Sequence, residues 1–159
     1  MKITIVCVGK IKEKFYRDAI DEYSKRLSRY CRLEIVECAD EKTPDGASAA
    51  QEDGIRNTEG ERILSKIPEN AYVFLLAIKG KEMTSPELSR KISDLAVRGK
   101  GHLVFVIGGS LGTSKAVSDR ADFSLSFSPM TFPHQLMRVI LLEQIYRAYK
   151  IEAGEPYHK

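Results

Sequence analysis

Apolar and polar positions along this chain follow two different periodicities, one typical of strands and one typical of helices. Short apolar or alternating runs at residues 3–8, 33–38, 71–78, 103–107 and 123–127 predict five strands. Between them, helical spacing and cap residues predict helices over residues 12–29, 48–67, 85–98, 114–120 and 133–150. Mostly apolar strands that alternate with helices are typical of a largely parallel sheet covered by helices on both faces. The predicted fold class is therefore α/β.

The strand at 103–107 runs directly into a glycine-rich segment, with glycine at 108, 109 and 112. Glycine lets the backbone turn sharply and approach a ligand closely. In an open α/β sheet, ligands bind beyond the carboxyl ends of the strands. We therefore expect a small molecule at residues 108–112, where the loops 79–83 and 127–132 should converge. The alternative is that these glycines only form ordinary turns at strand ends.

Two familiar nucleotide motifs are missing from this segment. The sequence contains no GxGxxG, and the glycine loop lacks the Lys-Ser/Thr pair that holds phosphate and magnesium in a Walker motif. A nucleotide, if bound, would therefore be held mainly by main-chain groups.

Two of the predicted helices have an apolar stripe suited to one face of the sheet. In the first helix it comprises Phe15, Ala19, Ile20, Tyr23 and Leu27, opposite a mainly basic face that is either solvated or a weak phosphate-contacting surface. The helix after residue 84 has Ser85 as its predicted cap and Pro86 at its first position, with Leu88, Ile92, Leu95 and Ala96 as its stripe. The helix at 48–67 is more polar and is interrupted by Gly54 and Gly60.

The last helix departs from this pattern because apolar residues cover every side of it. A helix that is apolar all round is buried all round. In one small domain this predicts a subunit interface, and we expect a two-fold homodimer.

Composition narrows the class of protein without deciding it. The chain has 159 residues, 43% of them hydrophobic and 30% charged, as expected for one globular domain over residues 1–159. A net charge of +3 permits an anionic partner but does not require one. Cys7, Cys31 and Cys38 lack CxxC spacing, and Cys7 and Cys38 fall inside strand-like runs, which favours buried free thiols and a cytoplasmic location. No apolar run is long enough for a signal peptide or a membrane span, and no cluster of His and Cys has metal-ligand spacing.

Polar candidates lie at the start of the last helix and at the end of the chain. His134, Gln135 and Arg138 share one sector, which forms either a polar rim of the site or a helix end in solvent. Tyr157, His158 and Lys159 form either a frayed tail or an aromatic and basic element that stacks on a nucleotide. His102 is predicted to be a surface histidine with a satisfied ring.

Four segments together resemble the small bacterial ribosomal RNA large subunit methyltransferase H family of the SPOUT superfamily. The segments are 106–112 (VIGGSLG), 126–138 (SFSPMTFPHQLMR), 143–148 (EQIYRA) and 156–159 (PYHK). The resemblance extends over the whole chain, and the combination is far more specific than any one motif. Members of that family more often carry Arg than Lys after the terminal His, so Lys159 keeps the charge without the bidentate fork.

The resemblance implies a fold and an activity that hydrophobic periodicity alone does not indicate. It implies a C-terminal trefoil knot, which general topology rules disfavour. It implies a homodimer that methylates N3 of a pseudouridine in 23S rRNA of the ribosomal large subunit, with S-adenosyl-L-methionine as cofactor. The cofactor would lie on Leu76, Gly108, Phe127, Ser128, Pro129, Met130, Thr131 and Phe132.

The remaining roles follow from the same resemblance and from the chemistry of N3. Tyr157 and His158 would help to receive the RNA, from the partner subunit, and Lys159 adds a positive charge there. N3–H must lose its proton, which His158 or a main-chain acceptor could take. The expected catalytic residues are His158, Tyr157 and Arg138, and Arg138 and His134 would position a phosphate or the cofactor carboxylate. Two other hypotheses stay open: a Rossmann-like protein that binds a phosphorylated small molecule, with a helix starting immediately after Gly112, and a non-catalytic ribosome-binding module.

Overall fold

The computed structural model describes residues 1–159. It contains five strands and five helices, which alternate along the chain. The strands are β1 (Lys2–Val8), β2 (Arg32–Cys38), β3 (Tyr72–Glu82), β4 (His102–Ile107) and β5 (Phe123–Ser126). The helices are α1 (Lys14–Leu27), α2 (Ala49–Leu64), α3 (Ser85–Val97), α4 (Lys115–Arg120) and α5 (His134–Glu152). The predicted order of elements is confirmed, with boundaries that shift by a few residues.

All five strands form one parallel sheet in the order β2-β1-β4-β3-β5. β1 and β4 are central and their apolar residues are almost completely buried. Phe74 on β3 lies opposite Phe105 on β4, and their rings stack with centroids 4.5 Å apart. The predicted α/β class with a parallel sheet is confirmed.

Alternate residues of the central strands face two separate apolar cores. Ile3 and Ile5 of β1 pack into the core that contains apolar residues of α1, α3 and α5. Val6 and Val8 of the same strand pack into the core that contains Ile63 of α2 together with α4. Helices therefore cover both faces of the sheet, because a strand that is apolar at successive positions has two faces to bury.

Four details of the helices differ from the sequence prediction. Phe15 is 63% exposed, because α1 begins only at Lys14 and its first turn does not reach the core. The N-cap of α3 is Thr84 rather than Ser85, since Thr84 and Glu87 form a reciprocal capping box. α2 continues through Gly54 and Gly60 without interruption and starts at a second capping box, between Ser48 and Gln51. Ala96, predicted in the stripe of α3, is exposed.

Strand β3 is longer than predicted and contains an irregularity. It continues past Ile78 to Glu82, and its pairing with β5 shifts register between Leu76 and Lys81. Gly80 makes the second part possible, since a Cβ there would lie 2.7 Å from the carbonyl oxygen of Ser124. The predicted loop at 79–83 is therefore mostly strand, and both parts of β3 pair with β5 on either side of the irregularity.

Helix α5 is buried on one side only within a single chain. Its buried residues include Leu141, Leu142 and Ile145, which pack against the sheet. The apolar residues on its other sides are only half-buried: Leu136, Met137, Val139, Ile140 and Tyr149. The expectation of complete burial is thus not met by one copy of the chain.

None of the five helices combines the length and the apolar character that crossing a membrane requires.

Candidate functional site

A cavity of about 400 Å³ opens where β3, β4 and β5 end. It falls within the range of roughly 300–1,000 Å³ that is usual for small-molecule sites. The chain segments around it are the end of β3, the glycine loop after β4, the segment after β5 and the first turn of α5. Its lining residues are Leu76, Ala77, Ile78, Lys79, Ile107, Gly108, Gly109, Ser110, Gly112, Thr113, Leu125, Phe127, Ser128, Met130, Thr131, Phe132, His134 and Met137.

This lining gathers most of the residues that the sequence analysis assigned to a cofactor. Of the eight predicted residues, Pro129 alone is absent from the wall, and it is exposed. The predicted convergence of three segments at one edge of the sheet is confirmed, although the first of them is strand rather than loop.

The glycine loop is a tight turn that folds back on itself. Gly112, with a φ of +83°, donates its N–H to the carbonyl oxygen of Gly109 at 3.0 Å. A Cβ on Gly108 would lie 2.6 Å from the side-chain methyl of Thr113, so this position tolerates only glycine without rearrangement. Helix α4 begins at Lys115 rather than immediately after Gly112, and it has only six residues. The structure therefore lacks the direct loop-to-helix junction that the phosphate-binding hypothesis predicted.

The segment after β5 forms the opposite wall and is held by short-range hydrogen bonds. The Ser128 hydroxyl accepts the N–H of Met130 at 3.0 Å, and the Ser126 hydroxyl donates to the Ser128 carbonyl at 3.2 Å. Met130 is 71% exposed and Ile78 is 50% exposed, so two large apolar side chains stand at the rim of the cavity.

Only two ionisable side chains reach the lining, Lys79 and His134. Nδ1 of His134 is buried without a hydrogen-bond partner, and burial together with the nearby Arg138 charge lowers the pKa of its imidazole. His134 is therefore neutral near pH 7. The wall contains no carboxylate, and no group of three or more His, Cys, Asp or Glu residues anywhere in the chain could hold a metal ion.

The structure separates Arg138 from the cavity, although the sequence analysis grouped it with His134. The Arg138 side chain is fully buried, and its Nη1 donates to Oε2 of Glu37 at 2.6 Å. Its Nη2 donates to the carbonyl oxygens of Gly9 and Val8 at 2.6 and 3.3 Å. Arg138 thus ties α5 to the ends of β1 and β2. Gln135, the third member of that sector, accepts the N–H of Lys12.

The C-terminal tail also lies outside the cavity of its own chain, packed along α5. The phenol of Tyr157 donates to Glu143, and its ring meets that of Tyr146 edge-on with centroids 4.9 Å apart. Burial and the Glu143 charge raise the pKa of Tyr157 to about 12. His158 is exposed, with Nδ1 3.3 Å from an Arg147 nitrogen, and Lys159 is exposed as well.

Sequence patterns missed several residues around the cavity. Leu125 and Met137 line it, but each reads as ordinary core in its strand or helix. Behind the glycine loop, Arg56 of α2 donates to the carbonyl oxygen of Leu111 at 3.3 Å. Gly60 lies against Ser114, so the glycine allows α2 to pack closely behind the loop. In the sequence this glycine was interpreted only as an interruption of the helix.

Two further sequence predictions concern His102 and the cysteines. His102 lies 2.8 Å from the Thr4 hydroxyl, which confirms a satisfied ring, although it is the first residue of β4 rather than a residue before it. Cys7 and Cys38 are buried free thiols, as predicted, and burial raises the pKa of Cys7 to about 12.

Comparison with known proteins covers the whole chain. The family model described as "Predicted SPOUT methyltransferase" matches residues 1–158. Proteins from Bifidobacterium adolescentis and Clostridium novyi, both named "Ribosomal RNA large subunit methyltransferase H", are each 64% identical to it over 159 residues, which is 100% of both chains. The chain belongs to the ribosomal RNA large subunit methyltransferase H family of SPOUT methyltransferases.

This membership confirms the family resemblance that the sequence motifs indicated, and it also assigns the fold. The chain is a SPOUT methyltransferase, and the family's fold includes the C-terminal knot that general topology rules disfavour. A solved structure titled "a probable methylase family protein from Haemophilus influenzae Rd KW20" has a TM-score of 0.55 at 12% identity, covering 99% of this chain and 70% of that one. That likeness supports the fold alone.

Proposed function

We propose that this chain uses S-adenosyl-L-methionine to methylate N3 of a pseudouridine in 23S rRNA of the ribosomal large subunit. The observation that carries the proposal is the cavity at the ends of β3, β4 and β5, in a chain 64% identical to two proteins named for methylating large-subunit RNA. Residues 1–159 would act as one methyltransferase domain in the cytoplasm, without a metal.

The residues that line the cavity suit this cofactor. Apolar side chains from Leu76, Phe127 and Phe132 offer surfaces for a flat adenine ring. Gly108 brings main-chain groups close to the ligand because no side chain intervenes. When bound, the cofactor supplies a methyl group already activated on a sulfonium, so the protein needs no metal. Leu76, Gly108 and residues 127–132 would hold it.

Residues of the tail would act on the RNA rather than on the cofactor. Tyr157 keeps its phenol proton at neutral pH, because its pKa is about 12. Its O–H is donated to Glu143, so its phenol oxygen would contact the RNA as an acceptor. His158 is exposed and could take or share the N3 proton, with Lys159 near the phosphates. His134, in the cavity wall, would contact the substrate as a neutral group. Arg138 would serve by positioning α5, since its guanidinium is occupied by Glu37 and main-chain carbonyls.

A homodimer would bring these two sets of residues together. The tail packs on α5 of its own chain and does not line the cavity of that chain. The half-buried apolar side of α5 and the exposed Phe15 on neighbouring α1 offer a surface for a second copy. Each cavity would then receive the Tyr157 and His158 of the partner.

Calorimetric titration with S-adenosyl-L-methionine, and with its demethylated product, tests the cofactor. We expect micromolar binding that is lost in Gly108→Val, because the new side chain would collide with Thr113. Gly101→Ala is the matched control, since a Cβ there meets nothing within 4 Å. Failure of the unaltered protein to bind either ligand would refute the cofactor assignment.

Mixed dimers test whether the site is shared between subunits. Gly108→Val should abolish cofactor binding, and His158→Ala should remove the tail's contribution, so on ribosomal RNA the first variant alone should be inactive and the second should be at least about tenfold slower. A shared site predicts that an equal mixture recovers about one quarter of the activity, because half of the dimers are mixed and each holds one intact site. No recovery after subunit exchange, or a monomer in sedimentation, would contradict the shared site.

A further inference from the structure

A buried carboxylate on α2 stands directly behind the glycine loop. Glu59 is only 5% exposed, and its Oε2 accepts the N–H of Glu41 at 3.0 Å. Its Oε1 lies 2.9 Å from the point that a Cβ on Gly109 would occupy. Acidic side chains are rarely this buried without a cationic partner, and Glu59 has none among the ion pairs of the chain. The position therefore calls for an explanation beyond helix stability.

The same face of α2 holds the loop at two further points. Arg56 lies one turn before Glu59, and its Nη1 donates to the carbonyl oxygen of Leu111 at 3.3 Å. Gly60 follows Glu59, and a Cβ there would collide with the Ser114 hydroxyl, so the helix backbone lies against the residue that caps α4. Three successive contacts thus follow the loop from residue 109 to residue 114.

We propose that α2 fixes the conformation of the glycine loop for cofactor binding, with Glu59 as a positioning residue. This inference rests on the proposed cofactor site. Gly109 leaves a space that the Glu59 carboxylate fills, so the length of the Glu59 side chain determines how far the loop can retreat from the cavity. Arg56 holds the other end of the loop through its hydrogen bond to the carbonyl oxygen of Leu111. Small displacements of binding groups are costly, and about 1 Å can reduce activity on the order of 100-fold.

Substitutions at Glu59 separate its shape from its charge. Glu59→Ala empties the space behind Gly109 and should weaken S-adenosyl-L-methionine binding at least about tenfold. Glu59→Gln keeps the length and an acceptor for the Glu41 N–H, and should restore affinity to within about threefold of the unaltered protein. Glu61→Ala, at an exposed position on the same helix, is the matched control and should bind normally. Equal affinity in Glu59→Ala and the unaltered dimer would overturn the proposal.

A double-mutant cycle tests the contact itself. Gly109→Ala should weaken cofactor binding, because its Cβ would lie 2.9 Å from a carboxylate oxygen of the buried Glu59 and 3.3 Å from a methyl group of Val8. In the Glu59→Ala background the closest contact is gone and only the Val8 methyl remains nearby, so the same change should add no more than about threefold. Effects that simply multiply would show that the two residues act independently and would refute the contact. Arg56→Gln, at a half-buried position, offers a milder perturbation if Glu59→Ala does not fold.

Hydrogen exchange in the free protein keeps this test separate from the cofactor assignment. The Gly112 N–H is bonded within the loop to Gly109. In Glu59→Ala it should exchange faster, while amides of β1 keep their protection. If the unaltered protein binds no S-adenosyl-L-methionine but the Gly112 amide responds in this way, the cofactor proposal fails and the role of Glu59 in holding the loop stands. If exchange is unchanged, the positioning role fails whatever the cofactor.

Discussion

Tyr157 in the tail donates its phenol proton to Oε1 of Glu143 on α5 across 3.1 Å. The same carboxylate oxygen accepts two hydrogen bonds from Arg147, at 2.6 and 3.0 Å. The Arg147 guanidinium also lies over the Tyr157 ring, 4.6 Å from its centroid. These contacts give the end of the chain a defined place on α5 and leave His158 exposed to solvent.

Replacing His158 by Ala should reduce turnover on ribosomes at least about tenfold and leave the dissociation constant of S-adenosyl-L-methionine nearly unchanged. The reason is that His158 lies on the tail and does not line the cavity of its own chain. Single-turnover methylation and calorimetry measure the two quantities. Lys100→Ala, at an exposed site next to the start of β4, is the control. An equal loss of turnover and cofactor affinity would contradict the assignment of His158 to the RNA.

Two glycine-to-alanine changes should have opposite effects on stability. Gly80→Ala places a methyl 2.7 Å from the Ser124 carbonyl oxygen and should lower the free energy of unfolding by about 1–3 kcal/mol. Gly54→Ala, inside α2 and with open space around it, should raise that free energy by roughly 0.5–1 kcal/mol. Urea denaturation measures both. A neutral Gly80→Ala would mean that β3 can shift away from β5 at no cost.

Acidification should destabilise the protein through His134. Burial and Arg138 lower the pKa of its imidazole in the folded chain below the ordinary value of 6.5. The unfolded chain therefore binds the proton first, and the free energy of unfolding falls as pH decreases from 6.5 towards the folded pKa. His134→Asn should make this decrease shallower in denaturation curves recorded at several pH values.

His102 contributes with the same sign, because burial and Lys2 also lower the pKa of its ring. Some pH dependence should therefore persist in His134→Asn and be reduced further when His102→Asn is added. If the stability of His134→Asn depends on pH as strongly as that of the unaltered protein, protonation of His134 is not a cause of the loss of stability in acid.

Arg138→Lys should reduce stability more than cofactor affinity. Lysine cannot reach Glu37 and the Gly9 carbonyl together, and the loss of charge-assisted hydrogen bonds should cost about 1.5–3 kcal/mol. The half-exposed Glu37 can rehydrate, which limits the cost. Arg32→Lys, at an exposed site, is the control. Unchanged stability with lost turnover would instead support the catalytic role that the sequence suggested for Arg138.

The order of strands and helices could be predicted from local pattern because burial on two faces leaves a direct mark on a sequence. Residues 103–107 are apolar throughout since β4 lies at the centre of the sheet, and the glycines that follow mark the cavity edge for the same local reason. The family resemblance rested on four short motifs, two of them at that edge, and the relatives confirm it across the whole chain. Boundaries such as Thr84 instead of Ser85 were missed because two adjacent residues can both cap a helix.

Tertiary structure alone decided which of the polar residues face the cavity. His134 and Arg138 lie one helical turn apart, yet one reaches the cavity wall and the other is held by Glu37, because β1, β2 and α5 meet around the guanidinium. Glu59 was indistinguishable from the other acidic residues of a polar helix until the packing of α2 put it behind Gly109. Local pattern records which residues are buried, but contacts between residues distant in sequence depend on how the layers pack.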